Sequence, residues 1–385
     1  MPTIAPHLNR VAASLISEMS HLAIRHRAIN LVQGFPDFEP PAELVAAAVK
    51  ALHAGHHQYA IGHGSPRFRQ ALAHKQSRFM GLEIDPETHL TVTCGGTEAI
   101  MAAILTLCSP GDKLITFSPY YENFAADALL VGVEPVFVPL QPPHFSFDPH
   151  ELRRAFQQGG KVLAFCNPAN PSGKVFSRQE LQIIADLAHE YDAAVIVDEV
   201  YEHIVYAPYE HTYLASLPGM FERTISIGSL SKTYSVTGWR VGYLTAAAQV
   251  TQALRKVHDY LTIGAPAPLQ EAAVTALNLP DSYYHELLAR YTHCRDLFLG
   301  CLQQAGLQFI PPQGGIFVLV DSSPFGFPDD VAFCRWLIQE VGVAAVPGSS
   351  FFHEPVKNYI RFTFAKRDET LLAAGERLLK LKERL

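Results

Sequence analysis

The chain has 385 residues, 48% hydrophobic and 17% charged, which is enough apolar material for a large buried core and, by length, for about two domains. Its 30 Lys and Arg against 37 Asp and Glu leave a net charge of −7, which argues against nucleic acid or an anionic membrane as the main partner. There is no apolar run of about eighteen residues, Arg10, Glu18, Arg25 and Arg27 interrupt the start, and none of the six cysteines forms a CxxC pair. The expectation is a soluble, cytoplasmic protein with free thiols.

In chain order, the first distinctive segment is His53-Ala54-Gly55-His56-His57. Two histidines four apart make half a metal site, and no third ligand follows, so a helix end closed by Gly55 is expected and no metal. Seven apolar runs then read as strands, at 89–94, 113–118, 134–140, 161–166, 193–198, 224–229 and 241–246. Between them lie stretches with helical spacing, such as Glu98–Leu107 and Arg178–Tyr191. Strand and helix in alternation predict an α/β fold with a mainly parallel seven-stranded sheet covered on both faces. After about residue 280 the texture changes. A helix is expected over Tyr283–Ala305, a strand at Gly315–Val320, a helix at Asp329–Val341, a strand at Tyr359–Phe364 and a charged helix to Leu385. Residues 46–280 are thus read as a large domain, and 1–45 with 281–385 as a smaller α+β domain.

Ligands of such sheets gather at the carboxyl ends of the strands, and the polar clusters of this chain fall there. Thr93-Cys94-Gly95-Gly96-Thr97-Glu98 joins a strand to a helix start, where free N–H groups attract an anion, although Gly-Gly also serves a plain tight turn. Pro119-Tyr120-Tyr121 offers either core aromatics or a ring stacked on a flat ligand. Asn167-Pro168-Ala169-Asn170-Pro171-Ser172-Gly173 is either a well-specified loop or a means of aiming an amide at a ligand. Asp198, before Glu199-Val200-Tyr201, is either a helix N-cap or a buried carboxylate that needs a cationic partner such as a protonated pyridine nitrogen. Ser229-Leu230-Ser231-Lys232, with Arg240 downstream, gives an amine able to form a Schiff base with an aldehyde beside groups able to hold a phosphate. The other account of Lys232 is a solvated surface lysine.

These residues resemble the class I/II aminotransferases, of pyridoxal-phosphate fold type I, along essentially the whole chain. Within them the sequence is most similar to the methionine aminotransferase and kynurenine aminotransferase (glutamine transaminase K) group. The match is carried by Ile29-Asn30-Leu31, Gln33-Gly34-Phe35-Pro36-Asp37-Phe38, Gln58-Tyr59-Ala60, Asp198-Glu199-Val200-Tyr201-Glu202-His203 and Thr237-Gly238-Trp239-Arg240-Val241-Gly242-Tyr243. The resemblance implies pyridoxal 5′-phosphate as cofactor, with Lys232 as its Schiff-base lysine, Asp198 on the pyridine nitrogen and Tyr201 and Asn170 on the ring oxygen. It implies Tyr121 as the stacking aromatic and Gly96, Thr97, Ser229, Ser231 and Arg240 as the phosphate cup. Arg361 would clamp the substrate α-carboxylate, and Gly34 and Phe35 lie on a loop expected to close over the substrate. Tyr59 would reach the phosphate of a neighbouring subunit, which implies a homodimer.

The reaction implied is a ping-pong transfer from a neutral L-amino acid, such as methionine, glutamine or an aromatic one, to a 2-oxo acid. Two departures bear on the substrate. Ile263, which the resemblance implies faces the substrate pocket of the neighbouring subunit, stands with Gly264 where related kynurenine and methionine enzymes often carry an aromatic residue followed by His or Ser. Thr97 stands where aspartate-specific relatives carry a lysine. A cysteine-conjugate β-lyase on the same scaffold is the alternative chemistry, since the same lysine and aspartate serve both. A ligand-binding regulator is disfavoured because the first forty residues are too short and too weakly basic for a DNA-binding module.

Overall fold

Successive side chains of a strand face opposite sides of its sheet, so strands that are apolar at every position must be covered on both faces. The computed structural model, which describes residues 4–384, meets that requirement. Its main sheet contains β1 (Leu90–Thr93), β2 (Lys113–Ser118), β3 (Glu134–Gln141), β4 (Ser146–Phe147), β5 (Gly160–Cys166), β6 (Ala194–Asp198), β7 (Thr224–Ser229) and β8 (Gly242–Thr245). Across the sheet the order is β1-β8-β7-β6-β5-β2-β3-β4. Strands β2, β3, β5, β6 and β7 pair in parallel, whereas β8 runs antiparallel to both of its neighbours. All seven expected strands form, and the two-residue β4 adds an eighth by folding back on β3.

The alternation is visible residue by residue. Leu163, Phe165, Val195 and Val197 pack on one face with Leu152, Leu181 and Ile184 of the helices Pro149–Gln157 and Arg178–Glu190. Val162, Ala164, Cys166 and Ile196 face the other way, against Ile100 and Ala103 of the helix Gly95–Leu107. Each fully buried Val, Leu, Ile or Phe contributes about 1.5–3 kcal/mol of burial. Helix starts are chemically marked. The Ser177 side chain accepts from Glu180 N–H while the Glu180 carboxylate accepts from Ser177 N–H, a reciprocal cap. The helix expected from Glu98 begins at Gly95, so the two glycines form its first turn. As expected, the helix Ala42–His53 closes at Gly55, in the left-handed region at φ 85°.

A second sheet of four antiparallel strands orders Phe309–Ile310, Phe317–Asp321, Tyr359–Thr363 and Val346–Pro347. The N-terminal segment joins this half of the molecule. Ile29–Asn30 pairs in parallel with Val343–Ala344, and the helix Leu15–His26 buries Met19 and Ala23 in the same apolar cluster as Phe333 and Phe362. The helix expected over 329–341 is divided. An α-helix over Asp330–Trp336 widens into a π-helical turn at Leu337–Val341, which keeps Leu337, Ile338 and Val341 all buried. The chain closes with the helix Asp368–Leu378 and a 3-10 stretch to Arg384, and Leu385 lies outside the described residues. No helix among the described residues is long and apolar enough to cross a membrane.

Candidate active site

Every parallel strand of the main sheet points its carboxyl end at the same edge, and the polar segments after those ends converge on one cavity of about 370 Å³. Gly96 and Thr97 enter from the turn after β1, Tyr121 from the turn after β2, and Asn170 from the loop after β5. Asp198 and Tyr201 follow from the end of β6, and Ser229, Ser231 and Lys232 from the end of β7. Arg240 arrives by the opposite route: β8 is antiparallel, so the residues before it, not after it, lie at this edge. The remaining wall comes from the other sheet and the N-terminal segment, with Arg361, Phe317, Gly34 and Phe35.

At one end of the cavity the polar groups suit an anion. Ser229 Oγ is 2.8 Å from Ser231 Oγ and accepts from the Ser231 amide at 3.1 Å. Arg240, itself left-handed at φ 53°, donates to the Thr237 carbonyl at 2.8 Å and lays its guanidinium against Gly95. A Cβ on Gly95 would occupy the guanidinium's place, and at φ 82° only glycine is at ease.

The middle of the cavity holds Asp198 and Lys232. Asp198 is buried, with Val200 N–H donating to Oδ1 at 3.2 Å and the Cys166 thiol donating to Oδ2 at 3.7 Å. No helix follows it, so it is not an N-cap. Burial pushes its carboxyl up to about 6, against the pull of those two donors. Lys232 donates to the Gly34 carbonyl of the N-terminal loop. Burial and then the Arg361 charge push its amine down to about 8, with Asp198 acting against them. Tyr201 is buried, and burial together with Asp198 keeps its hydroxyl protonated well past its usual range.

Arg361 is 2% exposed. It donates to Asn170 Oδ1 at 2.8 Å and to the Val32 carbonyl at 2.9 Å, between the rings of Phe317 and Phe351, 4.0 and 4.6 Å from its guanidinium carbon. Its Nε has no hydrogen-bond partner, and it has no carboxylate in ion-pair contact among the described residues. A buried guanidinium without an anion is costly unless a ligand supplies one. The Gly34 backbone sits so close to Phe317 that a Cβ there would enter the ring.

Two expected residues lie outside this cavity. Tyr59 is 79% exposed and Ile263 is 51% exposed, and the Ile263 carbonyl lies close to Gly62. Conversely, Ile16, Gln33, Glu122 and Val200 line the cavity without having been singled out. Val200 and Gln33 lie inside motifs already noted. Nothing local in the sequence marks Ile16 or Glu122, because each reaches the cavity by tertiary placement.

The chain matches the family described as Aminotransferase class I and II over residues 26–378. It is 38% identical to the methionine aminotransferase of Escherichia coli over 97% of each chain. With the kynurenine–oxoglutarate transaminase of Dictyostelium discoideum it shares 37% identity over 95% of this chain and 93% of that one. The solved structure of N-succinyldiaminopimelate aminotransferase from Mycobacterium tuberculosis aligns with a TM-score of 0.95 at 38% identity, covering 99% of this chain and 100% of that one. The match runs through the sheet, its carboxyl-edge turns and the strand that carries Arg361, and it makes this chain an enzyme of the class I and II aminotransferases.

Proposed function

We propose that the chain moves the amino group of a neutral L-amino acid (methionine, glutamine or an aromatic, kynurenine-like one) to a 2-oxo acid in a ping-pong reaction with pyridoxal 5′-phosphate. The observation that carries this reading is a lysine amine of lowered proton affinity in one cavity with a buried aspartate and a buried arginine that has no carboxylate partner among the described residues. The relatives named for methionine and kynurenine support a neutral donor.

The cavity suits the cofactor's chemistry. Thr97, Ser229, Ser231 and Arg240 supply hydroxyls and a guanidinium for a phosphate. Asp198 is a carboxylate at a buried strand end that a protonated ring nitrogen would neutralise. Tyr121 offers a ring face, and Tyr201 and Asn170 offer donors for a ring oxygen. When bound, pyridoxal phosphate would supply an electron sink for the charge left on the substrate's Cα.

The chain's own groups do the rest. Arg361 binds the α-carboxylate as a bidentate fork, oriented by Asn170 and held in plane by Phe317 and Phe351. Lys232, whose amine burial and the Arg361 charge push down to about 8, reaches its neutral form at a lower pH than a solvated lysine and serves as the base at Cα. Asp198 keeps a proton on the group it faces, and the Gly34–Phe35 loop keeps water away from the reacting atoms.

Substitution Lys232→Ala tests the reading. The purified variant is expected to lose the visible absorbance of bound cofactor and nearly all turnover, at least about a thousandfold as for other covalent nucleophiles. An unchanged visible spectrum would sink the assignment.

The same reading makes the protein a cytoplasmic homodimer, with Tyr59 reaching the partner's phosphate. Six free cysteines and the exposed surface residues Tyr59, Ile61, Tyr260 and Ile263 support it. It also divides the chain into a cofactor domain, 46–280, and a small domain, 1–45 with 281–385. The pairing of Ile29–Asn30 with Val343–Ala344 supports that division.

A further inference from the structure

Five charged side chains line the cavity, and the proposed reaction uses four of them: Arg240, Asp198, Lys232 and Arg361. Glu122 is left over. It opens the helix Glu122–Leu130, directly after Tyr121. A carboxylate in a first turn favours its own helix, which explains why an acid is tolerated there. It does not explain why the acid lines the cavity, or why another element holds it. Ser14 Oγ, from the cap of the helix Leu15–His26, donates to Glu122 Oε1 at 2.9 Å. Ile16, in the first turn of that helix, lines the same cavity. The N-terminal segment therefore brings an apolar side chain to the wall and fixes one oxygen of the acid. The other oxygen has no protein donor among the described residues. The charge is felt nearby: burial and then Asp198 and Glu122 raise the Tyr121 hydroxyl, and burial lowers Arg361 to about 10 against the opposing pull of Tyr201 and Glu122.

We propose that Glu122 is a specificity residue for the donor side chain, repelling a second carboxylate and accepting a hydrogen bond from an uncharged polar group. The inference rests on the transaminase reading above and assigns its preference for donors without a side-chain acid to one residue. Like charges brought together in a partly dewatered cavity cost more than they do in water, and specificity built from such repulsion acts on the wrong substrate alone. A carboxylate offers only acceptors, whereas a carboxamide of the same shape offers two N–H donors. Glutamine and glutamate differ in that one respect, so they isolate the effect.

The test measures kcat/KM of the cofactor-loaded enzyme for glutamine, glutamate and methionine with one 2-oxo acid. In Glu122→Gln the glutamine-to-glutamate ratio is expected to fall about tenfold, chiefly through the KM for glutamate, while the methionine-to-glutamine ratio changes by less than about threefold. Glu122→Asp, which keeps the charge, is expected to retain the wild-type preference. Equilibrium binding of glutarate, a dicarboxylate with no amine to react, is expected to tighten by a similar factor in Glu122→Gln. An unchanged glutamine-to-glutamate ratio and unchanged glutarate affinity in a variant that loads cofactor would overturn the role of Glu122. Failure of the wild type to turn over any amino acid would instead bring down the transaminase reading beneath it, and the glutarate measurement separates the two cases.

Discussion

Asp198 and Glu202 lie four positions apart and both are buried, yet their carboxyl groups are driven in opposite directions. Burial raises Asp198 to about 6 because no Lys, Arg or His among the described residues is in ion-pair contact with it, and the pull of Lys232 does not offset the burial. Burial also works against the charge on Glu202, but Lys75 at 2.5 Å and then His203 overcome it and hold that carboxyl well below its usual range. Tyr213 OH adds a donor at 2.6 Å. The pair separates a structural acid from one reserved for a ligand. It follows that Asp198→Asn stabilises the protein without cofactor while destroying activity. Below pH 3.8 the wild-type carboxyl is neutral whether folded or not, so the variant gains nothing. Between about pH 4 and 6 the unfolded wild type ionises and the folded one does not, and the advantage grows to about 3 kcal/mol and persists at higher pH. Denaturant unfolding of both proteins at pH 4 and pH 7 checks this, and equal stabilities at pH 7 would count against a raised Asp198. The sequence made Asp198 legible because a carboxylate at a buried strand end has few explanations. It left Glu202 as part of a motif, since its partner Lys75 lies 127 positions away.

At the scale of elements, the hydrophobic runs made all seven long strands legible, and their alternation gave the two covered faces. The direction of β8 was not legible, because a four-residue buried strand reads the same both ways. Nor was the π-helical turn at Leu337–Val341, where packing of three buried side chains overrides the ordinary helical ladder. Reversal of β8 has a local effect that sequence spacing alone conceals: it sets Arg240 against Gly95, at the turn between β1 and the helix that follows. Gly95→Ala is therefore expected to cost about 1–2 kcal/mol for a left-handed alanine. It is also expected to displace the guanidinium and weaken cofactor binding by about tenfold, since a charge-assisted hydrogen bond is worth about that much. Titration of the variant with cofactor, followed by visible absorbance, measures the second effect. Retained affinity would show that Arg240 has no part in holding the phosphate.

At the scale of the whole molecule, several large apolar or aromatic side chains stand in solvent, among them Tyr260 at 95% exposed, with Tyr59 and Ile263. Partner residues are the least legible part of any site, because a single chain's hydrophobic pattern reports only what that chain buries. If these side chains join two copies, Tyr260→Glu is expected to reduce the sedimenting mass from about twice 42.5 kDa to that of one chain, and to loosen the cofactor as Tyr59 is withdrawn. A wild-type protein that sediments as one chain would remove the shared-site reading. The reversed strand also bears on how the molecule is assembled in time. Ser229, Ser231, Lys232 and Arg240 belong to one short connection between adjacent strands, so the anion end needs little loop closure beyond forming the sheet. Arg361 meets Val32 across a sequence separation of 329 positions, and that contact must wait until both chain ends have come home. Ser229, Ser231 and Arg240, which would grip a phosphate, thus come from near neighbours in the chain and are joined by Thr97 once β1 pairs with β8, whereas the arginine that would recognise the amino acid is the last to close.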